Sequence, residues 1–201
     1  MGDFLCHVVD PVFWALDLGA PTTISAKATD YDPQNHGETF PKGAVITYEF
    51  PAKGKRGPVN MLWFEGEEKP PRPADLEPDD KLQNIGAVVL GDQGTIMYGS
   101  HGATSARIIP DTRMADYKKP PKTLWRTKAH HEEWLNAIRT GKQPGGNFDY
   151  GGPLSELAML GIIAMRHPDI KLEWNSEKMM FNNCTAANAM ITPSYRKGWK
   201  L

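Results

Sequence analysis

Between Thr22 and Pro110 the chain offers one strand-like run after another, with no helical period in between. The runs are TTISAKAT (22–29), AVITYEF (44–50), VNMLWFE (59–65), GAVVLGDQGTIMYG (86–99) and ARIIP (106–110). They are rich in β-branched and aromatic residues and are separated by breaks such as KGKRGP and EEKPPRPADLEPDD. Gly91-Asp92-Gln93-Gly94 divides the fourth run into a hairpin. Strands in an unbroken block lack the crossover helices that parallel pairing needs. The expected fold class is therefore α+β, an open, mainly antiparallel β-sheet with helices packed on one face. One sheet drawn from 22–110 is expected, with residues 1–201 as a single domain.

Helical periods lie outside that block. The opening MGDFLCHVVDPVFWAL predicts a helix over 3–18, with Leu5, Val8, Val9, Val12 and Leu16 toward the core. AHHEEWLNAIRTG predicts a second over 130–140, with Trp134, Leu135 and Ile138 as its apolar stripe and Gly141 as its stop. GPLSELAMLGIIAMRHP predicts a third, over 153–166, stopped by Pro168. KLEWN (171–175) and KMMFNN (178–183) read as short strands, and TAANAMIT as a final short helix. Helices on one sheet face leave the other bare. Ile46, Tyr48, Phe50, Leu62 and Phe64 are candidates for that bare face, which is expected to make the protein a homo-oligomer.

The bulk composition excludes several classes. A net charge of -1 over 201 residues gives no electrostatic case for nucleic acid or an anionic membrane. No apolar run reaches the roughly 18 residues of a membrane span, and the N-terminus shows no secretory signal pattern. A soluble protein, cytoplasmic or periplasmic, is expected. Cys6 and Cys184 are too few for a disulfide framework or a zinc site and are expected to be buried thiols.

Candidate chemistry gathers at the N-terminus. Asp3, His7, Asp10 and Trp14 recur at steps of four, three and four, which stacks them on one helix face. An aspartate one turn from a histidine can orient the imidazole and pass a proton at neutral pH. Pro11 has no N–H to offer the carbonyl of His7, so a kink or loosening is expected there. The same stripe also fits a solvated helix face, where Asp3 is favoured by the helix dipole. No metal site is expected, because three ligands from one helix match no familiar zinc geometry and H-E-x-x-H is missing. The chain has no G-x-G-x-x-G, no P-loop and no G-x-S-x-G. GGNFDYGGP (145–153) reads as a loop before a helix. Its Asn147, Phe148 and Tyr150 would suit the hydroxyls and apolar face of a sugar, or simply enter the helix.

GDFLCHVVDPVFWAL resembles the start of the second domain of the Gfo/Idh/MocA oxidoreductases, the glucose–fructose oxidoreductase and inositol dehydrogenase family. WFEGEEKPPRPADL, HHEEWLNAIRTGKQPGGNFDYGGPLSE and the closing YRKGWKL resemble one branch of it, in order over nearly the whole chain. The resemblance implies the C-terminal domain of a two-domain enzyme, whose N-terminal Rossmann domain binds NAD or NADP. In the family an aspartate, three residues and a histidine lie at the nicotinamide end. Those positions here are Asp3 and His7. The resemblance makes His7 the acid–base residue at the oxidised hydroxyl and Asp3 its assistant or a substrate ligand, with Asp10 and Trp14 toward a sugar or polyol substrate.

Two departures stand out. Leu5 replaces a glycine common in the family two residues before the histidine. The Rossmann domain lies outside this chain, which is therefore expected to be a fragment, a truncated product or a separate domain that binds no dinucleotide alone. Glu68-Lys69-Pro70 copies the family's catalytic lysine motif but follows the aspartate–histidine helix, so Lys69 reads as a loop lysine. The expected function is the substrate-binding and oligomerisation domain of an NAD(P)-dependent sugar or polyol dehydrogenase. NAD-assisted glycoside cleavage and a non-catalytic assembly module are the alternatives.

Overall fold

The computed structural model describes residues 1–127, 129–192 and 194–199. Strands β1 (Thr23–Thr29), β2 (Gly43–Phe50) and β3 (Val59–Gly66) form an antiparallel meander. A second helical period intervenes before the sheet is extended by β7 (Leu172–Asn175) and β8 (Met180–Phe181), giving the order β3-β2-β1-β7-β8. The remaining strands, β4 (Gly86–Gly91), β5 (Gly94–Gly99) and β6 (Arg107–Ile109), form their own three-stranded antiparallel sheet. The class is α+β with antiparallel pairing throughout, but the one sheet expected from 22–110 is two. The proline-rich segment after β3 carries the chain out of the first ladder before β4 begins.

The chain accordingly divides into two compact units, one of Met1–Pro71 with Glu156 onward, the other of Arg72–Ser155. In the first, directly paired residues share a face. Register puts Ile24 opposite Tyr48 and Ala26 opposite Ile46, then Tyr48 opposite Met61 and Ile46 opposite Trp63. Ile24, Ile46, Tyr48 and Phe50 are fully buried, as are Leu172 and Phe181 farther along the same face. So Ile46, Tyr48 and Phe50, candidates for the bare face, point inward. Leu62 and Phe64 pair with Thr47 and Val45 on the outer face, which is otherwise largely polar, with Ser25, Lys27 and Thr29 on β1.

Two helices cover the inner face. Helix α1 (Phe4–Ala15) buries Leu5, Val8, Val9 and Phe13. Helix α4 (Phe148–Arg166) buries Leu157, Leu160, Ile163 and Met165 within this unit. Each such side chain contributes about 1.5–3 kcal/mol by leaving water, so apolar burial outweighs any single polar contact. One polar contact nevertheless sets the spacing. Tyr48 donates its hydroxyl to the Leu157 carbonyl at 2.8 Å, and burial, then the Glu65 charge, pushes its phenol well above the ordinary range. Gly161 makes the approach possible, since a Cβ there would sit 2.1 Å from the Tyr48 oxygen. A four-residue helix, α5 (Thr185–Asn188), follows β8.

The second unit has a small core of Leu76, Met97 and Ile109, with Leu82 and Val88 packed against it. Its proline-rich segment is tied down by arginines. Arg72 donates to the Asp80, Leu76 and Glu77 carbonyls. Arg107 pairs with Glu77, with Asp80 at 2.5 Å, and with Asp111. Asp111 opens a short helix, α2 (Asp111–Asp116), which the sequence patterns did not indicate. Helix α3 (His130–Thr140) ends on Gly141 at φ 70, as expected. It lies in this unit and buries none of its residues, so the expected packing of 130–140 on the main sheet is replaced by an exposed Trp134, Leu135 and Ile138. Cys6 and Cys184 are free and half-buried, not buried: Cys6 lies between buried Leu5 and exposed His7, and Cys184 precedes the first turn of α5. No helix among the described residues is long and apolar enough to cross a membrane.

Glu77 supplies the pH dependence of the second unit. The Asp111 backbone N–H, then Glu77's own backbone N–H and the Arg107 charge, hold its carboxyl below the ordinary glutamate value of 4.5. A depressed folded pKa gives stability that is complete above pH 4.5 and lost as pH falls through the folded value. Acid unfolding followed by fluorescence should show this loss below pH 4.5, and Glu77→Gln should flatten it.

Candidate functional site

Helix α1 has two chemically distinct sides, and its buried side dictates where the other points. Leu5, Val8, Val9 and Phe13 face the core, so Asp3, His7 and Trp14 are exposed and Asp10 is half-buried. Asp3 occupies the N-cap position but makes no side-chain capping bond, so its carboxylate is not spent on the helix end. One turn on, the His7 ring meets the edge of Phe4 with centroids 6.0 Å apart and planes at 70°. Pro11 sits inside the helix, yet α1 continues through it to Ala15. Buried residues on both sides of the proline hold the helix together where a ladder bond to the His7 carbonyl is missing.

The far end of α1 is clamped as well. Arg56, from the β2–β3 connection, donates Nε to the Leu16 carbonyl at 2.7 Å, and Lys53 pairs with Asp17 at 2.7 Å. The helix is thus fixed along its length and at its C-terminus. Lys69 lies exposed in the loop after β3 and reaches only the Gly66 carbonyl, at 3.4 Å. It behaves as a loop lysine.

Asn147, Phe148 and Tyr150 belong to the second unit, and the expected loop there is partly helix. Helix α4 starts at Phe148, so Phe148 and Tyr150 fall in its first turn and Gly151, Gly152 and Pro153 within it. The Asn147 side chain explains the early start. Its oxygen accepts the Asp149 N–H at 2.8 Å and its amide donates to the Pro144 carbonyl at 2.7 Å, which makes it the helix cap. Phe148 is 92% exposed and Tyr150 is half-buried. The opening stripe and this turn therefore stand in separate units.

A dinucleotide needs backbone N–H groups at a glycine-lined turn from strand to helix. The direct strand-to-helix turns among the described residues pass through Pro110 and through Asn182, Asn183 and Cys184, with no glycine in either. These residues do not fit the cofactor. Ligand atoms of Glu77, Asp80 and Asp111 lie within 4.8 Å of one another, in the one acidic grouping of the described residues spaced for a metal. Arg107 already occupies that grouping as its counter-ion.

Two constellations escaped sequence reasoning. The Arg107 cluster joins residues up to 34 apart, and Arg166 meets Tyr31 across 135. No local spacing signals such pairs. Comparison with protein-family models, with curated proteins and with solved structures finds no match to this chain.

If Asn147 is the cap of α4, Asn147→Ala should cost about 1 kcal/mol. Urea unfolding should show a lower midpoint with an unchanged slope, and Asn147→Asp should recover most of the loss.

Proposed function

We propose that this chain is the substrate-binding and oligomerisation domain of an NAD(P)-dependent oxidoreductase acting on a CH–OH group of a sugar or polyol, of the Gfo/Idh/MocA kind. The observation that carries the reading is the outward face of α1. An imidazole and a carboxylate unspent on capping project one helical turn apart from a helix whose other side is locked into a core. An aspartate one turn from a histidine can orient the imidazole for proton transfer at neutral pH.

In this reading His7 takes the proton of the substrate hydroxyl and Asp3 orients the ring. Asp10 and Trp14 extend the same stripe, offering a carboxylate and an apolar ring to the sugar. Asn147, Phe148 and Tyr150 belong to the other unit, where the Asn147 side chain caps α4, and they are not part of this stripe. NAD or NADP belongs to residues other than these, so this chain's part of the reaction is the proton and the grip on substrate. The outer face of the five-stranded sheet, with Leu62 51% exposed beside Val45 and Phe64, is the proposed homo-oligomer contact.

The test is kinetic, on the chain joined to a dinucleotide-binding domain and supplied with a panel of sugars and polyols. His7→Ala should lower kcat by about 10²–10⁴-fold, the usual worth of a positioned proton carrier. Asp3→Asn should cost less and shift the pH profile, with cofactor affinity unchanged in both. Wild-type turnover in His7→Ala would return the stripe to a solvated helix face.

A further inference from the structure

The C-terminal end of α4 carries an arginine held by partners none of which is an acid. Arg166 donates Nη1 to the Tyr31 hydroxyl at 3.1 Å and to the Gly37 carbonyl, and its guanidinium carbon lies 4.6 Å from the Phe40 ring centre. All three partners come from the β1–β2 connection, 30–42, and all are neutral. Among the described residues Arg166 forms no ion pair. The half-buried guanidinium is held by a carbonyl, a phenol and a ring. Both hydrogen bonds leave from one terminal nitrogen, so the rest of the planar fork remains directed elsewhere.

Arg166 also lines a pocket. A cavity of about 400 Å³ opens beside Arg166, within the range of small-molecule sites. Tyr31, Pro33, Ile162 and Met190 give it apolar walls. His167 also lines it. The His167 Nδ1 lies 3.0 Å from the Ile163 carbonyl, which can only accept, so Nδ1 carries hydrogen. A cationic fork beside an open, partly apolar groove is complementary to a carboxylate on an apolar body. The guanidinium matches the two carboxylate oxygens in a bidentate pair, and the walls take the carbon skeleton.

We propose that the pocket formed by Tyr31, Arg166, His167 and Met190 binds a small organic carboxylate, independently of the α1 stripe. Arg166 anchors the carboxylate, Tyr31 and Phe40 hold Arg166 in place, and Ile162 and Met190 select for an apolar body over a bare inorganic anion.

Benzoate and inorganic phosphate are suitable probes, titrated into the full chain and followed by NMR shifts and calorimetry. Benzoate should bind with a Kd of about 1–10 mM and phosphate at least about tenfold more weakly. Arg166→Met should abolish the benzoate response. Met190→Trp fills the chamber while keeping the arginine, and should weaken benzoate by at least about tenfold as well. Equal affinity for phosphate and benzoate, or benzoate binding that survives in folded Arg166→Met, overturns the proposal. If Arg166→Met does not fold, Met190→Trp decides, and unchanged benzoate affinity there overturns it equally.

Discussion

The Tyr48 hydroxyl is the polar group on which the first unit's packing depends. It stands on the inner face of β2 among fully buried apolar neighbours, where an unpaired O–H would cost about 1–3 kcal/mol. Its partner is a carbonyl in the middle of α4, and Gly161 lacks the side chain that would keep the two apart. Apolar burial supplies most of the stabilisation, but it is non-directional. The Tyr48–Leu157 bond is directional, so it fixes which turn of α4 lies over β2. Met1, just before α1, shares the site, with its sulfur 3.8 Å from the same hydroxyl.

From that arrangement the exposed face of α1 follows without further assumptions. A helix held by Leu5, Val8, Val9 and Phe13 must present Asp3, His7 and Trp14 to solvent. The proline in its middle removes one ladder bond and costs stability. The burial on both sides, and the Arg56 contact to the Leu16 carbonyl, offset it. The polar stripe is thus a position imposed by the core, and the proposed chemistry uses it.

Much of this was legible in the chain. Strand limits, the hairpin at Gly91–Gly94 and the stop of α3 at Gly141 follow from local chemistry, because turns and caps are set by residues within a few positions. What failed was long-range. Nothing local distinguishes a ladder of β1 to β3 from one that also takes β4 to β6, so one sheet was expected where two exist. The inward orientation of Ile46, Tyr48 and Phe50 needed the register, since apolar residues occur on both faces of that meander. The start of α4 was misplaced because Gly151, Gly152 and Pro153 are poor helix formers, and the Asn147 cap together with the apolar run behind it outweighs them. Of the candidate site, the α1 stripe was visible as a spacing. Arg166 with Tyr31 was not, because the contact closes a loop of 135 residues.

Native-state hydrogen exchange tests the central claim, that α1 is held by the same core as the sheet and so displays its polar face at a fixed position. The account predicts that the amides of Val9 and Phe13 open with a free energy within about 1 kcal/mol of those of Ile46 and Tyr48, as one cooperative unit. Val9 and Phe13 exchanging orders of magnitude faster than a still-protected β2 would contradict it, since a frayed helix cannot aim an imidazole.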